Sequence, residues 1–235
     1  MKIAYFDCFS GISGDMILGA LVDAGLEIER LRQELALLHL TGYELQAEKV
    51  RKQGIAATRV RVLTAESPEQ RRLADIRRLI QDSALPSQVK ERSVRIFTRL
   101  AEAEGKIHQS AAEEIHFHEV GALDAIVDIV GSVLGLHQLG IGKIVSSPLC
   151  TGKGFVQCAH GWLPVPAPAT LELLRGCPIY AGEIDKELVT PTGAAILSTL
   201  SAGFGDMPPL RVRTVGYGAG GYELERPNVV RLILG

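Results

Sequence analysis

The apolar positions fall into runs whose spacing predicts the elements of the chain. Residues 2–7 (KIAYFD) make a short run of strand length. Ser13-Gly14-Asp15 then opens a helix in which Met16, Ile17, Ala20, Leu21 and Ala24 recur at helical spacing, and Gly25 stops it. A second helix is predicted over 28–38. Residues 43–52 and 55–63 have strand composition with Gly54 between them, the pattern of an antiparallel hairpin. Helices follow over 67–82 and 86–107. Pro86 sits at the start of the second, Val89, Val94, Ile96, Phe97 and Leu100 stripe it, and Glu102 and Glu104 lie near its end. After a linker at 108–114 comes a nearly all-apolar helix over 122–139, ended by Gly140-Ile141-Gly142.

The second half alternates: strands over 143–149, 154–158, 178–185, 210–217 and 228–234, and helices over 167–175 and 191–202. This order predicts an α+β fold of mixed sheets with packed helices. A soft boundary near 140–142 divides the chain into subdomains at 1–140 and 141–235, although no Pro/Ser linker separates them and one domain is equally compatible.

At 235 residues, 46% hydrophobic and 22% charged, the chain can bury a real core. A net charge of −2 gives no basic face for nucleic acid. Arg71, Arg72, Arg77 and Arg78 cluster on a predicted helix and read as a solvated face. Cys8, Cys150, Cys158 and Cys177 are scattered without a C-x-x-C pair, which argues against a zinc ribbon or a disulfide scaffold. No apolar run reaches membrane-span length, and the N-terminus reads as a strand, so a cytoplasmic location is expected.

Candidate chemistry concentrates in a few segments. Between strand and helix, DCFSGISGDM (7–16) is a small-residue loop. Ser10, Gly11, Ser13 and Gly14 let backbone N–H groups face an anion at a helix start, and Asp7 and Asp15 beside a phosphate call for Mg²⁺ or a similar cation between them. Plain helix capping by Ser13 or Asp15 is the alternative. The densest segment is 116–128: His116 and His118 share a face if extended, Glu119 follows, and Asp124 and Asp128 share a helix face at i, i+4. Asp128 sits within Ile126-Val127-Asp128-Ile129-Val130, where an unpartnered charge is costly. Imidazole with carboxylate suits Mn²⁺, Ni²⁺, Zn²⁺ or Fe²⁺ better than Mg²⁺.

Three further stretches complete the set. His160 opens HGWLPVPAPAT, an extended loop stiffened by alternate prolines, and reads as a general acid/base, a ligand or an exposed loop histidine. Thr190 caps a helix with Pro191 at its first position, and with Thr192 and Gly193 it offers an anion site or ordinary capping. GYGAGG (216–221) lacks the strand–loop–helix setting of a dinucleotide fingerprint.

Taken in order, DCFSGISGDM, HFHEVGALDAIVDIVG, HGWLPVPAPATLELL, ELVTPTGAAIL and GYGAGG resemble the LarC family of nickel-insertion proteins from end to end of the chain. The resemblance implies a nickel chelatase or cyclometallase of the lyase class. Its activity would be CTP-dependent insertion of Ni²⁺ into pyridinium-3,5-bisthiocarboxylic acid mononucleotide, giving the nickel-pincer cofactor of lactate racemase. Implied partners are that mononucleotide, CTP with Mg²⁺ or Mn²⁺, the apo racemase and a C-terminal domain that full-length relatives carry beyond the segment seen here.

On that reading Asp7 and Asp15 hold the nucleotide's cation, and His116, His118, Asp124 and Asp128 position Ni²⁺. Glu119 or His160 takes the proton lost from the pyridinium carbon. Two other classes fit the same residues: a metal-dependent phosphohydrolase and a non-catalytic nickel chaperone or scaffold. The GSVLG stretch at 131–135 allows close helix packing, within a subunit or across a homo-oligomer.

Overall fold

A computed structural model describes residues 1–64, 71–115, 117, 123–158 and 160–235. Strand β1 (Lys2–Asp7) feeds through the small-residue loop into helix α1 (Gly14–Asp23). Gly25, at φ 108°, ends that helix. Helix α2 (Ile28–Leu35) tightens into a 3₁₀ turn (Ala36–Leu38). The hairpin β2 (Tyr43–Lys52) and β3 (Ile55–Thr64) is antiparallel throughout, as the strand composition on either side of Gly54 predicted. Its two-residue turn puts Gln53 at φ 48° and Gly54 at φ 81°, the left-handed pair that matches strand twist.

Helix α3 (Leu73–Asp82) starts later than the periodicity suggested. Arg72 has extended backbone, and its N–H donates to the Asp75 carboxylate, which fixes the start there. Helix α4 (Ser87–His108) begins after Pro86, and the expected linker contains a 3₁₀ turn (Ala112–Glu114). Helix α5 (Leu123–Gln138) is the buried apolar helix.

Beyond it run β4 (Ile141–Ser146), β5 (Leu149–Cys150), β6 (Phe155–Cys158), β7 (Gly161–Pro164), α6 (Pro168–Leu173), β8 (Ile179–Tyr180), α7 (Pro191–Leu200), β9 (Gly203–Phe204), β10 (Thr214–Ala219) and β11 (Val229–Leu234). The stretch expected as an extended loop after His160 in fact pairs: β7 lies antiparallel to β6, with Val156 opposite Leu163. Of the strand expected over 178–185 only Ile179–Tyr180 pairs, with β5.

The main sheet has the order β2-β3-β10-β11-β1-β4-β9. It is mixed: β1 runs parallel to β4 and antiparallel to β11, and β3 meets β10 in parallel. Strands from both sides of residue 140 interleave in this sheet, and a single core cluster draws residues from both. The α+β class is as expected.

Helix α1 lies against β3, β10 and β11, with α5 packed on it. Three glycines set this close approach. A Cβ on Gly216 or Gly218 would collide with the backbone of Ala20 or Met16, and one on Gly19 with the Thr58 carbonyl. The glycines of GYGAGG therefore let a helix rest on a strand, and no side chain of ordinary size fits between them. Along α5 the small residues 131 and 135 face α1: Gly131 lies opposite Leu18, and Gly135 opposite Leu21 and Leu26. Eleven residues of α5 are buried, and each large apolar side chain contributes roughly 1.5–3 kcal/mol.

Candidate functional site

Two helix starts, those of α1 and α7, meet at the loop that follows β1, and the second turn of α5 packs against them. Ile12 bridges to Val189, its N–H donating to the Leu188 carbonyl (2.8 Å) and its carbonyl accepting from the Thr190 N–H (3.1 Å). Gly11, at φ 86°, lies directly over the Leu188 carbonyl, and a Cβ on Gly193 would stand 2.5 Å from the Ile12 carbonyl oxygen. The two loops singled out by sequence, 10–14 and 190–193, are thus one backbone-to-backbone junction.

Several of their N–H groups already have partners. Gly11 donates to Cys8, Ile12 to Leu188, and Gly193 to the capping Thr190 hydroxyl (3.3 Å). Thr190 and Thr192 share a hydroxyl hydrogen bond of 2.9 Å. Ser10 is fully buried; its carbonyl accepts from Asn228 Nδ2 (3.3 Å), while its Oγ has no partner. Ser13 stands at the N-cap of α1 without capping it. Its hydroxyl donates to Asp15 instead, and the Asp15 carboxylate also accepts from the Met16 N–H (2.8 Å).

Asp15 meets Asp128 across this junction. Gly14 leaves the space: a Cβ there would lie 2.5 Å from Asp128 Oδ2. Asp128 is flanked on α5 by Val127 and Ile129, both fully buried, and its own Oδ1 is sealed from solvent with no hydrogen-bond partner. Burial pushes the Asp128 carboxyl well above the ordinary range, the charges of Asp15 and Asp124 push it further, and the Asp15 backbone N–H acts weakly the other way. Burial also raises Asp15, against the opposing pull of Ser13, Met16 and the Arg59 guanidinium. Asp124, one turn earlier on α5, is exposed, and its Oδ1 accepts from the Ala125 N–H. Two half-buried carboxylates that repel, one with an orphaned oxygen, form a donor set suited to a cation.

The other candidate residues lie elsewhere or outside the described residues. Asp7, at the end of β1, is held by Arg231 on β11, whose Nε (3.1 Å) and Nη2 donate to Oδ2. His116, His118 and Glu119 lie outside the described residues. Among the described residues, no three His, Cys, Asp or Glu side chains are placed to hold a metal ion together. His160 sits in the turn between β6 and β7, its ring centroid 5.0 Å from that of His108 at the end of α4. Sequence reasoning passed over Arg59, Arg231 and His108. The last carried a signal, since Glu104 and His108 are spaced i, i+4 and lie 3.6 Å apart.

The fold and junction define an α+β protein with a half-buried carboxylate pair where α1 and α7 begin and α5 packs against them. Residues 4–235 match the family model for nickel insertion proteins, and the chain belongs to that family. It is 60% identical over its full length to the pyridinium-3,5-bisthiocarboxylic acid mononucleotide nickel insertion protein of Desulfitobacterium hafniense DCB-2, covering 58% of that protein. It is 52% identical to a putative nickel insertion protein of Syntrophobacter fumaroxidans and 47% to one of Dictyoglomus thermophilum, covering 61% of each. The chain therefore spans about three-fifths of the length of these curated relatives. No solved structure matches it significantly. Among the described residues no helix is long and apolar enough to cross a membrane.

Proposed function

We propose that this chain is the nickel-handling part of a cytoplasmic nickel chelatase of the lyase class. Its substrate would be pyridinium-3,5-bisthiocarboxylic acid mononucleotide, its energy source CTP, and its product the nickel-pincer cofactor delivered to lactate racemase. The observation that carries the reading is the half-buried Asp15–Asp128 pair with its orphaned oxygen, in a chain 60% identical to a relative named for that insertion.

In this reading Asp128, with Asp124 beside it and His116 and His118 preceding it in the chain, receives Ni²⁺. A dication there would offset the burial and the carboxylate repulsion that hold the Asp128 proton in place, so metal entry and proton release are linked. Asp15, facing Asp128, lines the same cation pocket, Asp7 stays with Arg231 at the end of β1, and the junction of residues 10–14 with 190–193 would face the phosphates of CTP and its Mg²⁺ or Mn²⁺. Insertion replaces a ring C–H bond by a Ni–C bond. The pair of electrons from the C–H bond becomes the Ni–C bond, the proton passes to Glu119 or His160, and nickel stays divalent. CTP cleavage to CMP and pyrophosphate accompanies the step, and the C-terminal domain of the relatives completes the enzyme.

The test is calorimetric titration of Ni²⁺ into the full-length protein and its Asp128→Asn variant, beside an insertion assay with precursor and CTP. The reading expects about tenfold or greater loss of Ni²⁺ affinity and loss of insertion. Nucleotide turnover without nickel or precursor would instead make the protein a phosphohydrolase. Metal binding without insertion by the complete protein would make it a scaffold.

A further inference from the structure

The β6–β7 hairpin stands apart from the main sheet, its strands pairing only with each other among the described residues. Residues directly opposite in an antiparallel pair share a face. The register of Phe155 with Pro164 and Gln157 with Trp162 therefore puts these four on one side, and Val156 with Leu163 on the other. The inner pair lines a cavity of about 380 Å³ beside the end of α4 and the starts of α6 and α7. His160, in the turn, lies against His108 of α4, ring centroids 5.0 Å apart, so the hairpin is held to the body by its inner side. The outer side is open: Phe155 is 67% exposed and Trp162, the chain's one tryptophan, 66%. No other phenylalanine, tyrosine or tryptophan among the described residues is as exposed. Phe155 and Trp162 are diagonal neighbours on one face, and with Pro164 they make one patch rather than scattered side chains.

From Phe155 to Pro164 (FVQCAHGWLP) there is no Asp, Glu, Lys or Arg, although 22% of the chain is charged. Charges stand at the margin instead: Lys153 and Asp185 are exposed, and a Cβ on Gly154 would lie 3.7 Å from Asp185 Oδ1. An uncharged aromatic centre with a polar rim is the make-up of a protein-binding surface. A two-stranded ribbon is also marginal alone in water, so cover on its apolar face is stabilising. The relatives supply the occupant: about two-fifths of their length has no counterpart in this chain, enough for a further domain. We propose that this further part seats on the outer face of the β6–β7 hairpin, with Phe155 and Trp162 as its anchors. Docked there it stands beside the candidate site. Glu187 and Pro191, at the α7 start, line the cavity beneath the hairpin, and Val189 is bridged to Ile12 in the loop that leads into Asp15. The docking does not depend on whether nickel is inserted.

The experiment is hydroxyl-radical footprinting read by mass spectrometry, on the 235-residue chain alone and on the full-length protein that carries the further part. Met207, exposed and distant in sequence, is the reference. We expect Phe155 and Trp162 to be oxidised about fivefold more slowly in the full-length protein, and Met207 equally in both. A full-length double variant, Phe155→Asp with Trp162→Asp, should show a larger radius of gyration by X-ray scattering and faster tryptic separation of its two parts. The same substitutions in the 235-residue chain should shift thermal unfolding by no more than about 2 °C, since both side chains are exposed. Equal oxidation of Trp162 in the two proteins overturns the proposal, and so does scattering unchanged by the double substitution. Protection already present in the 235-residue chain, with a dimer mass by light scattering, gives the face to a second copy and overturns it as well. Where the double variant unfolds early, the footprint of the parent decides by itself.

Discussion

Gly14 lies against Asp128, so close that a methyl group in place of its hydrogen would stand 2.5 Å from Oδ2. The backbone at the start of α1 thereby forms the wall of the carboxylate pocket. Gly14→Ala should displace Asp128 and cost about 1–3 kcal/mol, measured by urea unfolding, with Ni²⁺ affinity falling in parallel. Equal Ni²⁺ affinity in the folded variant would show that the close approach does not shape the metal site.

Asp128 itself should destabilise the protein at neutral pH. Its folded carboxyl holds its proton to higher pH than it would in the unfolded chain, because of burial first and then Asp15 and Asp124. The folded state therefore binds the extra proton, and stability present below the unfolded value is lost as pH rises through the folded one. Asp128→Asn should raise stability at pH 7 by on the order of 1 kcal/mol and flatten this fall. A variant less stable than the parent at pH 7 would mean that the charge is compensated in the protein.

Asp23 has the opposite sign. It closes α1 and binds three strands, accepting from Lys49 on β2, Thr58 on β3 (2.7 Å) and the Tyr217 N–H on β10 (2.9 Å). Burial would raise its carboxyl, but these hydrogen bonds outweigh burial and lower it. Its stabilisation is present above the unfolded value and is lost as pH falls through the folded one. Asp23→Asn should cost about 2 kcal/mol at pH 7, and the difference should shrink in acid. Parallel pH–stability curves for parent and variant would contradict this.

Gly218 is the tightest point between α1 and the sheet, where a side chain would meet the Met16 carbonyl and Ala20 N–H. Gly218→Ala should lower stability by about 3 kcal/mol, because backbone on both sides cannot retreat. Loss of less than about 1 kcal/mol in thermal unfolding would mean that α1 can lift away from β10.

The cysteines should divide by burial. Cys8 is fully buried, its thiol pushed up to about 12 chiefly by desolvation, and Cys150 is buried as well. Cys158 and Cys177 are partly open. Alkylation at pH 8 followed by mass spectrometry should label Cys158 quickly, Cys177 more slowly because burial raises its thiol, and Cys8 only after unfolding. Prompt labelling of native Cys8 would place it at the surface.

The periodicity determined most helices and long strands because each buries one continuous stripe or face. The α1 positions Met16, Ile17, Ala20 and Leu21 and the strand composition of β2 and β3 on either side of Gly54 are local facts that need no partner to be read. Two-residue strands such as β8 and β9 were misread or missed, and β7 was read as loop, since each exists only through a neighbour distant in sequence or across a turn.

The same division runs through the candidate site. Sequence alone marked Asp128 as a charge set in an apolar helix. Only the tertiary structure decided that Asp15 would face it, that Gly14 would make the room, that Arg231 would take Asp7, and that His108 would meet His160. Spacing along one helix is set by local geometry, whereas which side chains meet across helix starts is set by how backbones pack. Here that packing turns on glycines at 11, 14, 193 and 218, whose missing side chains let the chain approach itself.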